Sequence, residues 1–232
     1  MKLNADMRMS AKRKSLDADQ ADAFLATAER VALTWYPVFL LMFRTGMRPG
    51  EALALRRDDV NLTRLRIKVE REKVRDADGT WTIGPPKSRK SLREVPASDD
   101  LAEVLAPHVG KLRLATSAAA ALPWLFPNEQ DPATYAKPAD GTRDVYALAK
   151  AMKKVLKAAG LPVVAFGFTP KSGRHTTATL LLDAGETQAR VQDLLGHDDI
   201  RLTAALYGSD RKEVADTNKL NRHRHSVTGA QG

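Results

Sequence analysis

The apolar positions of this chain change period twice. From Ser15 onward, Ala21, Phe24, Leu25 and Ala28 recur at i, i+3, i+4 and i+7, the spacing of one helix face. Asp17, followed three positions later by Gln20, forms a capping-box signature at the start of that helix. A second helix, from about Trp35 to Arg44, is apolar nearly all round and is expected to be buried. Thr45-Gly46-Met47-Arg48-Pro49-Gly50-Glu51 then ends one helix and starts another. Gly46 suits the left-handed residue past a C-terminus, and Pro49 suits a first helical position. Arg48 is thereby expected at a rigid junction between two buried helices.

Between Leu65 and Pro96 the period shortens to two. Leu65 to Val69 alternates, as does Trp81-Thr82-Ile83, with the turn Asp76-Ala77-Asp78-Gly79 between them. Ser91 to Pro96 supplies a third strand, and the spacing predicts a small antiparallel sheet. Pro85 to Ser91 then links the last two strands, with Lys87 near its tip.

Helical spacing returns with Leu101, Val104, Leu105, Val109 and Leu112, across Pro107. Residues 115–142 read as a loop whose apolar Trp124-Leu125-Phe126 is expected to tuck into the core. A helix from Val145 to Ala159 ends at Gly160, and its Lys150, Lys153, Lys154 and Lys157 are available to a phosphate backbone. Three short helices follow between Phe168 and Tyr207, then a weakly helical stretch over 210–221. The pattern predicts a mainly helical α+β fold with a small three-stranded antiparallel sheet, ordered over 15–221. Residues 1–14 are expected to be a basic N-terminal arm and 222–232 a disordered basic tail.

Composition narrows the function. With 232 residues, 43% of them hydrophobic, the chain can bury a sizeable core as one large or two small domains. Its net charge of +9 and pI of about 9.8 favour polyanions, of which nucleic acid is the commonest. Charge alone is equally compatible with a role in solubility. The absence of cysteine excludes disulfides and thiolate metal sites. The start lacks the apolar core of a signal peptide, and no apolar run approaches the ~20 residues that span a bilayer. A soluble cytoplasmic, nucleoid-associated chain with no membrane partner is expected.

Six side chains make a candidate chemistry: Arg48, Lys87, Lys171, Arg174, His197 and Tyr207. Lys171 and Arg174 are three apart and share a helix face. His197 follows a Leu-Leu-Gly helix end, and Tyr207 lies ten residues further on. Taken singly, each has an ordinary reading as a capping, surface or solvated residue. Together they supply what phosphoryl transfer needs: cations for the non-bridging oxygens, a nucleophile and a proton donor to the leaving oxygen. Arginine offers planar bidentate donors to phosphate. Neighbouring cations favour the phenolate of a tyrosine whose ordinary pKa is about 10. No acidic cluster with metal-ligand spacing is evident, which fits a site using side-chain cations and no metal or cofactor.

Four segments resemble, in order, the boxes of the tyrosine recombinase (phage integrase) family. Thr45 to Leu53 is similar to its first box, Pro86 to Ser91 with Arg93-Glu94-Val95-Pro96 to its hairpin, Phe168 to Gly185 to its second box, and Leu194 to Gly208 to its third. The resemblance covers about residues 15–210, and several boxes in register are far more specific than one motif. It implies that Tyr207 attacks DNA to form a 3′-phosphotyrosine link, and that Arg48 and Arg174 clamp the scissile phosphate. Lys87 is implied as general acid on the leaving 5′-hydroxyl, and His197 as a donor to the phosphate. Glu51 matches an acidic position that supports the first arginine, and His175 fits the family's Arg-His-Thr in a structural role.

The implied partners are double-stranded DNA recombination sites, paired by a homotetramer for integration or excision. The alternatives are a non-catalytic DNA-binding remnant, or the same chemistry used for dimer resolution or in a type IB topoisomerase. Two departures stand out. Lys171 occupies a position where the family most often has histidine, and lysine is a poorer proton acceptor at neutral pH. Only a short arm precedes Ser15, so the family's N-terminal core-binding domain is expected to be absent and the chain to be a catalytic domain alone.

Overall fold

The computed structural model describes residues 15–86, 91–114, 123–128, 141–161, 168–196 and 217–220. The first helix, α1 (Ala18–Val31), begins as its sequence predicts: the Asp17 carboxylate accepts from the Gln20 amide at 2.9 Å, and the Gln20 side chain accepts from the Asp17 amide at 3.2 Å. Ala21, Phe24, Leu25 and Ala28 are all buried. In α2 (Tyr36–Thr45) every residue from Val38 to Thr45 is buried, which makes it the central element of the core. Phe24 of α1 stacks on Phe43 at 5.1 Å and meets Phe39 edge-on at 5.3 Å, binding the two helices through aromatic contact.

A short helix, α3 (Pro49–Leu53), leads through one turn of 3₁₀ helix (Arg57–Asp59) into five short strands: β1 (Val60–Asn61), β2 (Arg66–Val69), β3 (Glu72–Arg75), β4 (Trp81–Gly84) and β5 (Arg93–Pro96). The three-stranded antiparallel sheet is present, in the order β1-β2-β5, with Ile67 opposite Val60 on one side and Val95 on the other. Its membership differs from the sequence reading. Trp81 to Gly84 does not join it but forms a separate hairpin with Glu72 to Arg75 around the predicted turn. The charged Glu72-Lys73-Val74-Arg75 lacks an apolar alternation, yet Lys73 is buried, its ammonium donating to Thr142 Oγ1 and the Arg143 carbonyl.

Four longer helices complete the body: α4 (Asp99–Leu114), α5 (Val145–Ala158), α6 (Pro170–Asp183) and α7 (Gln188–Leu195). Arg44 of α2 and Asp100 of α4 form a buried ion pair at 2.8 Å, and Ser98 donates to the other Asp100 oxygen at 2.6 Å. Trp124, Leu125 and Phe126 do enter the core, tied by the Leu125 amide to the Leu55 carbonyl at 2.8 Å. Leu148, Met152, Val155 and Leu156 form the buried face of α5, while Lys150, Lys153 and Lys157 are exposed and Lys154 donates to the Val31 carbonyl. Among the described residues no helix is long and apolar enough to cross a membrane. The expected arm over 1–14 and tail over 222–232 lie outside the described residues.

Candidate active site

Two helix junctions build the site. Gly46 ends α2 in the left-handed region (φ 64°), which a glycine adopts without the steric cost of a Cβ. Two residues later Arg48 takes the N-cap position of α3 in an extended conformation, and Pro49 fixes the first helical residue. Glu51, at the third position, reaches back to the Arg48 amide (2.8 Å) and to Arg48 Nη1 (2.7 Å). The same carboxylate is held from its far side by Arg93 of β5, through Nη1 at 3.0 Å and Nη2 at 3.0 Å.

Glu51 has no exposed side-chain surface. Burial pushes its carboxyl pKa up, but the hydrogen bonds and charges of Arg93 and Arg48 outweigh that and hold it below its ordinary value. Glu51 is therefore an ionised anchor. It fixes the direction in which Arg48 leaves the helix, and Ser91 adds a contact to Arg48 Nη1 at 3.3 Å.

The second arginine arrives on α6. Thr169 and Pro170 start that helix, with the Thr169 amide donating to Ser172 Oγ at 3.0 Å. Two turns on, Thr177 sends its hydroxyl toward carbonyls near the end of α2, 2.9 Å from Phe43 O and 3.3 Å from Met42 O. Gly173 faces the Phe43 ring, where even a Cβ would sit at 3.5 Å. These contacts press α6 onto the end of α2 and deliver Arg174 to Gly46. Arg174 Nη1 donates to the Gly46 carbonyl at 2.9 Å, and Nη2 donates to the carbonyl of Leu195 at the end of α7. Burial, and next the charge of Arg48, push the Arg174 pKa down to about 9, so the group stays cationic at neutral pH. Arg48 and Arg174 thus share one electrostatic field at the Gly46–Arg48 turn.

Lys171 is exposed in the first turn of α6, and His175 is exposed beside Arg174. The expected Lys87, His197 and Tyr207 lie outside the described residues. The nearest described positions are Pro86 after β4 and Gly196 at the left-handed C-cap of α7 (φ 67°). Two participants stand outside the six candidate side chains. Arg93 falls within the hairpin resemblance with no role assigned to it, and Glu72 lies between the predicted strands. Each becomes meaningful only through partners far away in the chain, as in the 42 positions that separate Arg93 from Glu51.

A buried carboxylate bracing one arginine, with a second arginine pinned to the adjacent helix end, makes a cationic cradle. The fold that carries it is that of the tyrosine recombinase catalytic domains. The integrase of transposon Tn1549, solved with circular intermediate DNA, superposes with a TM-score of 0.65 at 19% identity, over 93% of this chain and 66% of that one. The XerA recombinase superposes with a TM-score of 0.61 at 19% identity, over 94% and 64%.

The chain belongs to the phage integrase family, whose model matches residues 14–213. Among its relatives, a "Tyrosine recombinase XerC-like" protein of Caldanaerobacter subterraneus subsp. tengcongensis is 32% identical over 179 residues, 73% of this chain and 44% of that protein. A "Putative prophage phiRv2 integrase" of Mycobacterium tuberculosis is 30% identical over 190 residues, 80% of this chain and 46% of that protein. The chain therefore spans less than half the length of these relatives.

Proposed function

We propose that this chain is the catalytic domain of a tyrosine site-specific recombinase that cuts and rejoins double-stranded DNA to integrate or excise a mobile element. The observation that carries the reading is the convergence of Arg48 and Arg174 on the Gly46–Arg48 turn, where each is fixed by helix-end and carboxylate contacts. Family membership and the DNA named with the Tn1549 integrase structure support a DNA substrate.

In this reading Arg48 and Arg174 bind the non-bridging oxygens of one phosphodiester, and Lys171 and His197 add donors to it. The Tyr207 phenol oxygen attacks phosphorus, its proton passes to solvent, and the bond from phosphorus to the 5′-oxygen breaks. Lys87 protonates that 5′-oxygen as it leaves. The product is a 3′-phosphotyrosine and a free 5′-hydroxyl. Attack by a 5′-hydroxyl of a partner strand reverses the step, regenerates the phenol and joins the strands. The phosphodiester energy is retained in the tyrosyl ester, so neither ATP nor a metal enters the scheme. Two DNA sites are held together by a homotetramer of the chain.

The test is covalent trapping on a nicked duplex that loses its 5′-hydroxyl fragment after cleavage. The intact chain should form a DNA adduct that survives denaturation. Tyr207→Phe should bind the duplex and form none. An adduct that persists in Tyr207→Phe overturns the assignment.

A further inference from the structure

The cradle holds one charged side chain that the proposed reaction does not use. Glu72 opens β3, and β3 lies directly against the first turn of α3. A Cβ on Gly50 would fall 2.4 Å from the Lys73 carbonyl oxygen and 2.9 Å from Glu72 Cγ. The Glu72 stem therefore packs on the backbone between Arg48 and Glu51. The charges that act on its carboxyl are those of Glu51 and Arg48 from α3, and of Arg174 and Lys171 from α6. Arg174 in turn is influenced by Glu72.

Among the described residues no hydrogen bond or ion pair holds the Glu72 carboxyl, whereas Glu51 accepts four bonds from Arg48 and Arg93. Burial first, and then the charge of Glu51, raise the Glu72 pKa above its ordinary value against the pull of Arg48, Arg174 and Lys171. A carboxylate held this way is poorly compensated, and a second anion in the same field disfavours it further.

We infer that Glu72 is an electrostatic gate on the cradle: it sits in the field of Arg48, Lys171 and Arg174 in the DNA-free chain, and an entering phosphodiester drives its protonation. The inference rests on the functional reading above, since it takes a DNA phosphate as the entering group. A phosphodiester keeps its charge across the range in which a carboxyl titrates, so its arrival raises the Glu72 pKa further. Binding is then linked to proton uptake and weakens as pH rises through that range. Once Glu72 stays ionised in the complex, the penalty is a constant repulsion.

The experiment compares the full chain with Glu72→Gln for binding to a short fluorescent DNA duplex from about pH 5 to about pH 8. Glu51, Arg48, Arg174, Lys171 and the exposed His175 are present in both proteins, so the difference between them reports the Glu72 carboxyl. Glu72→Gln should bind about tenfold tighter at the neutral end, and the two curves should converge toward the acid end. Calorimetry of the unmutated chain in buffers of different ionisation enthalpy should show proton uptake on binding, a readout that does not depend on how the variant folds. Parallel affinity curves, weaker binding by Glu72→Gln, or no proton uptake overturn the gate. If the chain binds duplex and Arg174→Ala weakens it while Glu72→Gln changes nothing, the gate alone fails. If the chain binds no duplex at any pH, the functional reading fails and the gate falls with it.

Discussion

Arg93 grips Glu51 with both terminal nitrogens at 3.0 Å, although the two residues stand 42 positions apart on a strand and a helix start. The pair locks the edge of the three-stranded sheet to the turn that carries Arg48. Arg93 also donates to the Leu194 carbonyl at 2.8 Å, which brings the end of α7 into the same knot. Arg93→Ala leaves a buried carboxylate with Arg48 as its remaining cation. Breaking a buried pair from one side costs about 3–5 kcal/mol. Chemical denaturation should show a loss of that size, together with weakened DNA binding because Arg48 loses its brace.

The Glu51 pKa gives that knot a pH dependence of known sign. Its folded value lies below the ordinary 4.5, so the ionised form is favoured in the native state. The stability it contributes is fully present above the unfolded pKa and is lost as pH falls through the folded value. Denaturation midpoints between neutral pH and about pH 3 should fall more steeply for the intact chain than for Glu51→Gln. The variant should already be weaker at neutral pH, because its neutral amide cannot satisfy Arg93.

Two glycines set the spacing of the site and should resist even alanine. At Gly46 a Cβ would lie 2.3 Å from Leu195 Cδ2 on a residue with φ 64°. At Gly50 it would lie 2.4 Å from a backbone oxygen of β3. Overpacking of this kind costs about 1–3 kcal/mol. Gly46→Ala should also weaken DNA binding beyond that loss, because it displaces the carbonyl that holds Arg174. Equal losses of stability and no difference in residual affinity between the two variants would count against that role.

The Arg44–Asp100 pair offers a control that, among the described residues, shares no hydrogen bond with Arg48, Glu51, Arg93 or Arg174. Asp100→Ala strands a buried guanidinium and should cost about 3–5 kcal/mol. The double change Arg44→Met, Asp100→Leu should recover much of that loss, measured by thermal unfolding, while leaving covalent capture of DNA unaltered.

Much of the helical frame was legible because its signals are local. Asp17 and Gln20 cap α1 as their spacing predicts, Gly46 and Pro49 punctuate the turn around Arg48, and the apolar face of α5 is buried. The hairpin of β3 and β4 was misread because Lys73 is buried for its ammonium contacts, so the strand lacks the alternation that marks most half-buried strands. In the site, Arg48, Glu51, Lys171 and Arg174 stood out through motif resemblance. Arg93 lies in the hairpin resemblance without a role and Glu72 lies outside it, since the meaning of both is in contacts between distant segments. Arg174 itself meets the Gly46 carbonyl across 128 positions, a relation no local pattern contains.

If the cradle presents a DNA phosphate to Tyr207, the decisive observation is the atom to which DNA becomes attached. The trapped adduct is digested with protease and nuclease, and the modified peptide is sequenced by mass spectrometry. A nucleotide should be joined through its 3′-phosphate to Tyr207, with the yield strongly reduced in Arg48→Ala and in Arg174→Ala. Attachment at Tyr36, Tyr135, Tyr146 or any residue other than Tyr207, or an undiminished yield without either arginine, would contradict it.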